Sequence, residues 1–144
     1  MINEDYVSFE TAKLLKEKGF DGSCHRYYRY DKEDTDGNGK MFMFASDLNG
    51  FCCVTNSLLN DYGEKHEETV LAPTFQMAIK WLRKEHKLCV VSIPVVTDDD
   101  GDGGCLWNYV ISRKLNPLYE SGSLYESPET ALNDAIKYCL QNLI

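Results

Sequence analysis

The apolar residues of this 144-residue chain change their spacing repeatedly, and this change constrains the fold more than any other feature of the sequence. Three segments place apolar residues at every third or fourth position, which puts them on one face of an α-helix. The segments between them carry short apolar runs or a period of two, which is typical of β-strands. Because both periods occur in one chain, the sequence predicts an α+β protein.

Residues with strong capping preferences mark the ends of the three predicted helices. The first helix begins after Ser8, a favoured N-cap residue, and ends at Gly19, since glycine favours the left-handed conformation that terminates helices. The second follows Thr74, and the third has Ser127 as its N-cap and Pro128 in its first position. The apolar residues that we expect on the buried stripes of these helices, all facing one side of one sheet, are Leu15, Phe75, Ile79, Leu82, Leu132, Ile136 and Leu140.

Strand patterns fill the segments between the helices. The predicted strands are Cys24–Tyr30, Met41–Ser46, Phe51–Thr55, Leu88–Val96, Cys105–Ser112 and a short one near Tyr119–Tyr125. Pro94 lies inside the fourth of them, which favours an edge position or a bulge because proline lacks a backbone N–H. We expect residues 1–144 to form a single globular domain. In it, an antiparallel sheet of about five or six strands carries the three amphipathic helices on one face.

Two acidic stretches have nearly the same sequence, "DTDGNG" at Asp34–Gly39 and "DDDGDG" at Asp98–Gly103. Each follows a helix pattern and a strand pattern and precedes another strand, so the chain has a helix–strand–turn–strand pseudo-repeat. Asp-Gly and Asn-Gly pairs are preferred turns between antiparallel strands, because these residues accept positive φ angles. The strands on either side of each stretch are therefore predicted to pair as hairpins.

Both stretches also resemble the first half of a calcium-binding loop, which keeps a second interpretation open. The side chains that would bind calcium are Asp34, Asp36, Asn38, Asp98, Asp100 and Asp102. The twelfth position of such a loop requires glutamate, but it falls on Ala45 in one copy and on Tyr109 in the other. Three such side chains alone predict a dissociation constant of about 10⁻⁴–10⁻³ M. We therefore favour turns and keep a calcium-binding or calcium-stabilised protein as the alternative.

Sequence motifs of catalysis and of metal binding are absent. The chain has no nucleophile elbow, phosphate-binding loop or zinc-protease motif. Its six cysteines lack metal-ligand spacing, so we expect thiols and no zinc site. A pair formed in the folded chain by His25 with Cys52 or Cys105 is the remaining catalytic hypothesis. We therefore expect a protein that is not an enzyme and has no cofactor.

The charge and hydropathy of the chain exclude further classes of function. Its net charge of −8 would repel phosphates, so we expect no direct nucleic-acid binding. The stretch "HRYYRYDK" interleaves basic and aromatic residues as single-strand-binding proteins do, but an aromatic-rich strand is the favoured interpretation. The sequence has neither a membrane-spanning apolar segment nor a visible signal peptide, so we expect a cytoplasmic protein without membrane contact.

Three segments, "YVSFETAKLLKEKGFD", "LAPTFQMAIKWLRKEHKLCVVSI" and "YESPETALNDAIKYCLQNLI", resemble a family of small uncharacterised proteins encoded by phages and mobile elements of gut bacteria. This family has no assigned activity or catalytic residues, and the resemblance implies an intracellular accessory role. The acidic charge and the nine tyrosines, which suit contact surfaces, point in the same direction. The resulting hypothesis is a non-enzymatic protein that acts by binding an unknown protein partner.

Overall fold

The computed structural model of the chain describes residues 5–31, 40–43, 67–95, 105–114 and 116–144. The helices within these ranges are α1 (Phe9–Glu17), α2 (Phe75–His86) and α3 (Pro128–Asn142). The strands are β1 (Arg26–Asp31), β2 (Lys40–Met43), β3 (Glu67–Leu71), β4 (Leu88–Val95), β5 (Leu106–Arg113) and β6 (Asn116–Glu120). The predicted α+β class is confirmed.

The predicted ends of the helices are confirmed by their capping hydrogen bonds. The Oγ of Ser8 accepts a hydrogen bond from the Thr11 backbone N–H at 3.3 Å, and the Oγ of Ser127 accepts one from the Thr130 N–H at 3.1 Å. These bonds satisfy donors that a helix N-terminus otherwise leaves without partners. At the other end of α1, Gly19 has a φ of 86°, the left-handed conformation that the sequence predicts there.

The strands form two antiparallel sheets of three strands each, with the orders β2-β1-β3 and β4-β5-β6. The prediction of one sheet of five or six strands is therefore wrong for the described part of the chain. The difference involves β3, for which the sequence analysis predicts no strand. Its sequence, "EETVL", follows a polar stretch and lacks a clear strand pattern. This strand occupies the second edge of β1, whose first edge is occupied by β2, so β1 has no edge left for a strand of the second sheet.

Both hairpins predicted around the acidic stretches are confirmed as pairs of adjacent antiparallel strands. Tyr28 lies opposite Met41 in the β1–β2 pair, and Val91 lies opposite Val110 in the β4–β5 pair. The two halves of the pseudo-repeat differ beyond these hairpins. In one sheet the third strand, β3, pairs with β1, whereas in the other the third strand, β6, pairs with β5. The predicted strand Phe51–Thr55 lies outside the described residues.

The edge position predicted for Pro94 is confirmed, since β4 is an edge strand of the described β4-β5-β6 sheet. Pro94 lies opposite Trp107 in the register of β4 and β5. The backbone N–H of Trp107 donates to the Tyr125 carbonyl oxygen at 2.8 Å, and the Tyr125 N–H donates back to Trp107 at 2.8 Å. Because Trp107 uses its backbone groups on the side away from β4, the nitrogen of Pro94 points to the open edge of the sheet.

The contacts of the chain divide it into two compact units, which we call unit 1 (Met1–Ala78) and unit 2 (Ile79–Ile144). In unit 1, the buried Tyr28 hydroxyl donates to the Val7 carbonyl oxygen at 2.6 Å, and α1 packs against β3. In unit 2, α3 packs against β4 and β5. The expectation that residues 1–144 form one domain stays a prediction.

The predicted core is correct for most of its residues and wrong about the surface that they share. Five of the seven residues are buried: Leu15, Phe75, Leu82, Ile136 and Leu140. Ile79 and Leu132 are only half-buried. The seven do not face one side of one sheet, because Leu15 belongs to unit 1, which has its own sheet, and Ile136 belongs to unit 2.

We expect the Gly19→Ala substitution to lower the free energy of unfolding by about 1 kcal/mol, because a left-handed φ is costly for a residue with a Cβ atom. Gly122→Ala is the matched control. A Cβ at either position meets no atom within 4 Å, but only Gly19 has a positive φ. Urea unfolding of both variants measures the difference, and equal stability of the two would contradict the assignment of this helix end.

Candidate functional site

The side chains that the sequence analysis gives as possible calcium ligands lie outside the described residues. They are Asp34, Asp36, Asn38, Asp98, Asp100 and Asp102. The structure describes only the paired strands that each acidic stretch connects. The calcium hypothesis therefore stays a prediction, and the candidate site has to be built from other residues.

The β4-β5-β6 sheet of unit 2 has two faces with very different exposure. Residues opposite each other on paired strands share a face, and the next pair along lies on the other face. Val90 and Ile111 form one such pair, and both are buried. The next pair is Val91 and Val110, and Val91 is 53% exposed although it is apolar.

An aromatic contact shows which face α3 covers. Tyr119 on β6 lies opposite Ile111, so it shares the buried face. The ring of Tyr119 stacks on the ring of Tyr138 in α3, with centroids 3.9 Å apart and an angle of 15° between the planes. The buried residues of α3 are Ala131, Ala135, Ile136, Cys139 and Leu140. The helix therefore packs on the face of Val90 and Ile111, and the other face carries no helix among the described residues.

We call the face away from α3 the outer face. Its apolar residues are Val91, Ile93, Val95, Leu106 and Val110. Ile93 is 41% exposed, and none of the five is fully buried. The largest exposed apolar patch of a protein is often a functional contact surface. The outer face is the candidate functional site.

The apolar run of β4 is the sequence feature that corresponds to the outer face, although its periodicity does not show which face is exposed. A strand with one solvated face alternates apolar and polar residues, whereas "LCVVSIPV" is apolar at most positions on both faces. Such a run predicts a strand covered on both sides. In the structure one of these sides is exposed, so the continuous run marks a face that lacks its cover.

Four tyrosines form a second cluster in unit 2, on the face that α3 covers. The Tyr109 ring centroid lies 5.9 Å from those of Tyr119 and Tyr125, and Tyr119 stacks on Tyr138. Stacked rings 3.9 Å apart are in van der Waals contact, so the Tyr119 and Tyr138 rings leave no space between them. The cluster therefore contributes packing.

The electrostatics of this cluster agree with a packing role. Burial raises the pKa of the Tyr109 hydroxyl, and the nearby Tyr125, Tyr119 and Asp134 raise it further. Burial also raises the pKa of Tyr125; a hydrogen bond with Ser121 opposes the shift and one with Asp134 adds to it. Both hydroxyls therefore stay protonated at neutral pH and are unsuited to act there as general bases.

The basic and aromatic residues of "HRYYRYDK" contact side chains of unit 1. The Arg26 guanidinium lies 4.6 Å from the ring centroid of Tyr6. The Lys13 ammonium lies 5.3 Å from the ring of Phe9 and 5.2 Å from that of Tyr30. The Lys13–Tyr30 contact joins α1 to β1, and the Arg26–Tyr6 contact joins β1 to the segment before α1. Both stabilise packing within unit 1, as the interpretation of an aromatic-rich strand predicts. The absence of nucleic-acid binding stays a prediction.

The described cysteines are thiols in three different environments: Cys24 and Cys139 are buried, Cys89 is half-buried and Cys105 is exposed. The described residues contain no group of three or more histidine, cysteine and carboxylate side chains that could hold a metal ion. Cys52, one partner in the Cys–His hypothesis, lies outside them. That hypothesis remains untested.

No helix within the described ranges is both long enough and apolar enough to cross a membrane. Comparisons of the chain with protein-family models, with curated proteins and with solved structures give no significant match. The fold and its exposed surfaces are therefore the basis on which a function is inferred.

We expect iodoacetamide at pH 8 to alkylate Cys105 in the folded protein and to leave Cys139 unmodified. Cys139 is fully buried, and burial raises its pKa to about 12, so roughly one thiol in ten thousand is ionised at pH 8. Peptide mapping by mass spectrometry identifies the modified residues. Alkylation of Cys139 as fast as that of Cys105 would contradict this burial, and alkylation of both in urea is the control.

The same thiol contributes to the pH dependence of stability. The unfolded chain loses this proton near pH 9, whereas the folded protein keeps it to about pH 12. Above pH 9 the folded state therefore binds more protons than the unfolded state, and this contribution lowers the free energy of unfolding as pH rises.

For the acidic stretches, we expect isothermal titration to detect no calcium binding at concentrations below about 10⁻⁴ M, because each stretch lacks the late glutamate ligand. Magnesium titrated under the same conditions is the control for non-specific binding of cations. Saturable heat at calcium concentrations below about 10⁻⁴ M, with one ion per stretch and loss in Asp36→Ala or Asp98→Ala, would instead establish the calcium alternative.

Proposed function

We propose that this chain is a non-enzymatic protein that acts by binding another protein, and that the outer face of the β4-β5-β6 sheet is its contact surface. The observation that carries the proposal is the exposure of Val91 and Ile93 on a sheet face that α3 leaves uncovered. Apolar side chains gain about 1.5–3 kcal/mol each when they move from water into an apolar environment. A partner that covers the outer face therefore recovers free energy that the fold of the chain does not.

The size of the outer face supports a transient contact. Eight residues at about 3.3 Å each, across three strands spaced about 4.8 Å apart, give an area of roughly 400 Å². Standard stable interfaces bury about 800 Å² on each partner. The outer face thus suits a partner that associates reversibly, or one that also contacts neighbouring residues.

The proposal includes an accessory role inside the cell. The resemblance of the helical segments to small proteins of phages and mobile elements supports this part. A polar or charged outer face would have removed the main structural reason for proposing a protein partner.

The test is affinity purification from cells that naturally express the chain. It compares two variants whose substituted residues are similarly exposed. Val91→Thr/Ile93→Thr removes apolar surface from the outer face and keeps β-branched side chains suited to a strand. Leu124→Thr is the control, because Leu124 is 53% exposed and lies outside the sheet strands. We expect the double variant to reduce recovery of a specific partner about tenfold and the control to leave it unchanged.

Two outcomes would overturn the proposal. One is recovery of no protein above background with the unmodified chain. The other is recovery of the same partner at unchanged levels with the double variant. Circular dichroism and thermal unfolding of both variants verify that each remains folded.

A further inference from the structure

One end of the β4-β5-β6 sheet concentrates positive charge in a chain whose net charge is −8. Arg113 ends β5 and lies opposite Leu88, the first residue of β4. Lys87 directly precedes Leu88, and Lys114 directly follows Arg113, so these three cationic side chains share that end of the sheet. We call them, together with Lys84 in the last turn of α2, the basic end.

The basic end is exposed and has little opposing charge nearby in the sequence. Lys84, Lys87, Arg113 and Lys114 are all exposed. Residues 84–88 and 112–116 contain these four cations and a single carboxylate, Glu85. The positive charge is therefore local, and it opposes the sign of the chain as a whole.

Two of these lysines occupy backbone positions that favour other residues. Lys87 has a φ of 59° and Lys114 a φ of 56°, in the left-handed region where glycine and asparagine are preferred. Lys87 follows a helix, and Lys114 lies in the two-residue connection between the paired Arg113 and Asn116. Glycine is the usual residue after a helix, and Asn-Gly is the usual connection in such a hairpin.

A local contact accounts for one of these lysines in part. The Lys87 ammonium donates to the Lys84 carbonyl oxygen at 2.7 Å, at the negative end of the helix dipole. This bond leaves the two remaining N–H donors of the ammonium for other acceptors. The chain thus carries two cations at positions where an uncharged residue would fit the backbone better.

The basic end and the outer face adjoin along the strands. Val91 lies four residues after Lys87, and Val110, which pairs with Val91, lies four residues before Lys114. At about 3.3 Å per residue, each apolar residue is roughly 13 Å from the cation at that end of its strand. A single extended segment of about five residues spans this distance.

Resting on the proposed function, we infer that the outer face and the basic end together bind a protein segment with apolar side chains next to acidic ones. The apolar side chains of the segment cover Val91 and Ile93, and its carboxylates lie against Lys87 and Lys114. Charge complementarity of this kind fixes the orientation of the segment and accelerates its association.

Two other classes of ligand fit the same surface less well. Nucleic acid bases stack on aromatic side chains, whereas the apolar residues of the outer face are aliphatic. An anionic membrane would be repelled by Glu120, which is exposed and lies opposite Val110 on the outer face. A peptide can place a neutral or basic residue at that point, which a uniform anionic surface cannot.

The test uses the full chain and two labelled synthetic peptides. Both begin with four leucines alternating with serines, and they end in four glutamates or in four lysines. We expect fluorescence anisotropy to show at least tenfold tighter binding of the glutamate peptide, with binding weakened as salt rises from 0.05 to 0.3 M. Binding of the two peptides with equal affinity, or no binding of the glutamate peptide, would overturn the inference.

Charge variants then locate the binding site. We expect the double variant Lys87→Gly/Lys114→Gly to bind the glutamate peptide at least fivefold more weakly. We expect the midpoint of its thermal unfolding to equal or exceed that of the unmodified protein, because glycine suits both φ angles. Lys87→Asn/Lys114→Asn is the second version, since asparagine also accepts a left-handed backbone. Lys18→Gln/Lys40→Gln removes the same charge from exposed sites in unit 1 and should leave binding unchanged.

Further experiments distinguish this inference from binding of a membrane or of nucleic acid, and from the proposed function. Vesicles of phosphatidylserine and a single-stranded oligothymidine are tested for binding at the same protein concentration. Binding of either that is tighter than that of the glutamate peptide would overturn the inference. If a partner lost by Val91→Thr/Ile93→Thr is retained by Lys87→Gly/Lys114→Gly, the inference fails and the proposed function stands.

Discussion

The packing of α3 on one face of the β4-β5-β6 sheet is the constraint on which the rest of unit 2 depends. Stacking of Tyr119 on Tyr138 holds the helix on the face of Val90 and Ile111, where the helix buries its alanines and large aliphatic residues. One helix covers one face of a sheet, and β4 carries apolar residues on both faces. Within the described part of the chain, α3 covers the face of Val90, and Val91 and Ile93 on the other face stay exposed.

Local signals made much of the fold predictable from the sequence. Ser8, Ser127 and Gly19 mark helix ends because their preferences arise from hydrogen bonds and φ angles within a few residues. The two hairpins were predictable for the same reason, since the turn residues and the strand periods lie next to each other in the chain. Pro94 indicated an edge strand because a missing N–H is a property of that residue alone.

Features that depend on distant residues were not predictable in this way. The division into two sheets depends on β3, whose short polar sequence pairs with β1 only when folding brings it there. The hairpin at Lys114 has no Asn-Gly signal, so β6 begins earlier than the sequence predicts. Likewise, the location of the candidate site depends on which face of the β4-β5-β6 sheet α3 leaves exposed. The apolar run of β4 indicates burial on both sides, and the choice of the exposed side depends on where α3 packs.

The position of Pro94 has a consequence for the addition of further strands to the β4-β5-β6 sheet. An edge strand of eight residues with exposed valine and isoleucine is a template on which another chain can add a strand and begin an aggregate. Pro94 directs its nitrogen to this open edge, so an incoming strand finds no donor there. The sheet can therefore be approached through its face while growth from its edge is obstructed. Within β4, exposed apolar side chains thus lie on the face of the sheet, whereas the proline lies where a neighbouring backbone would have to pair.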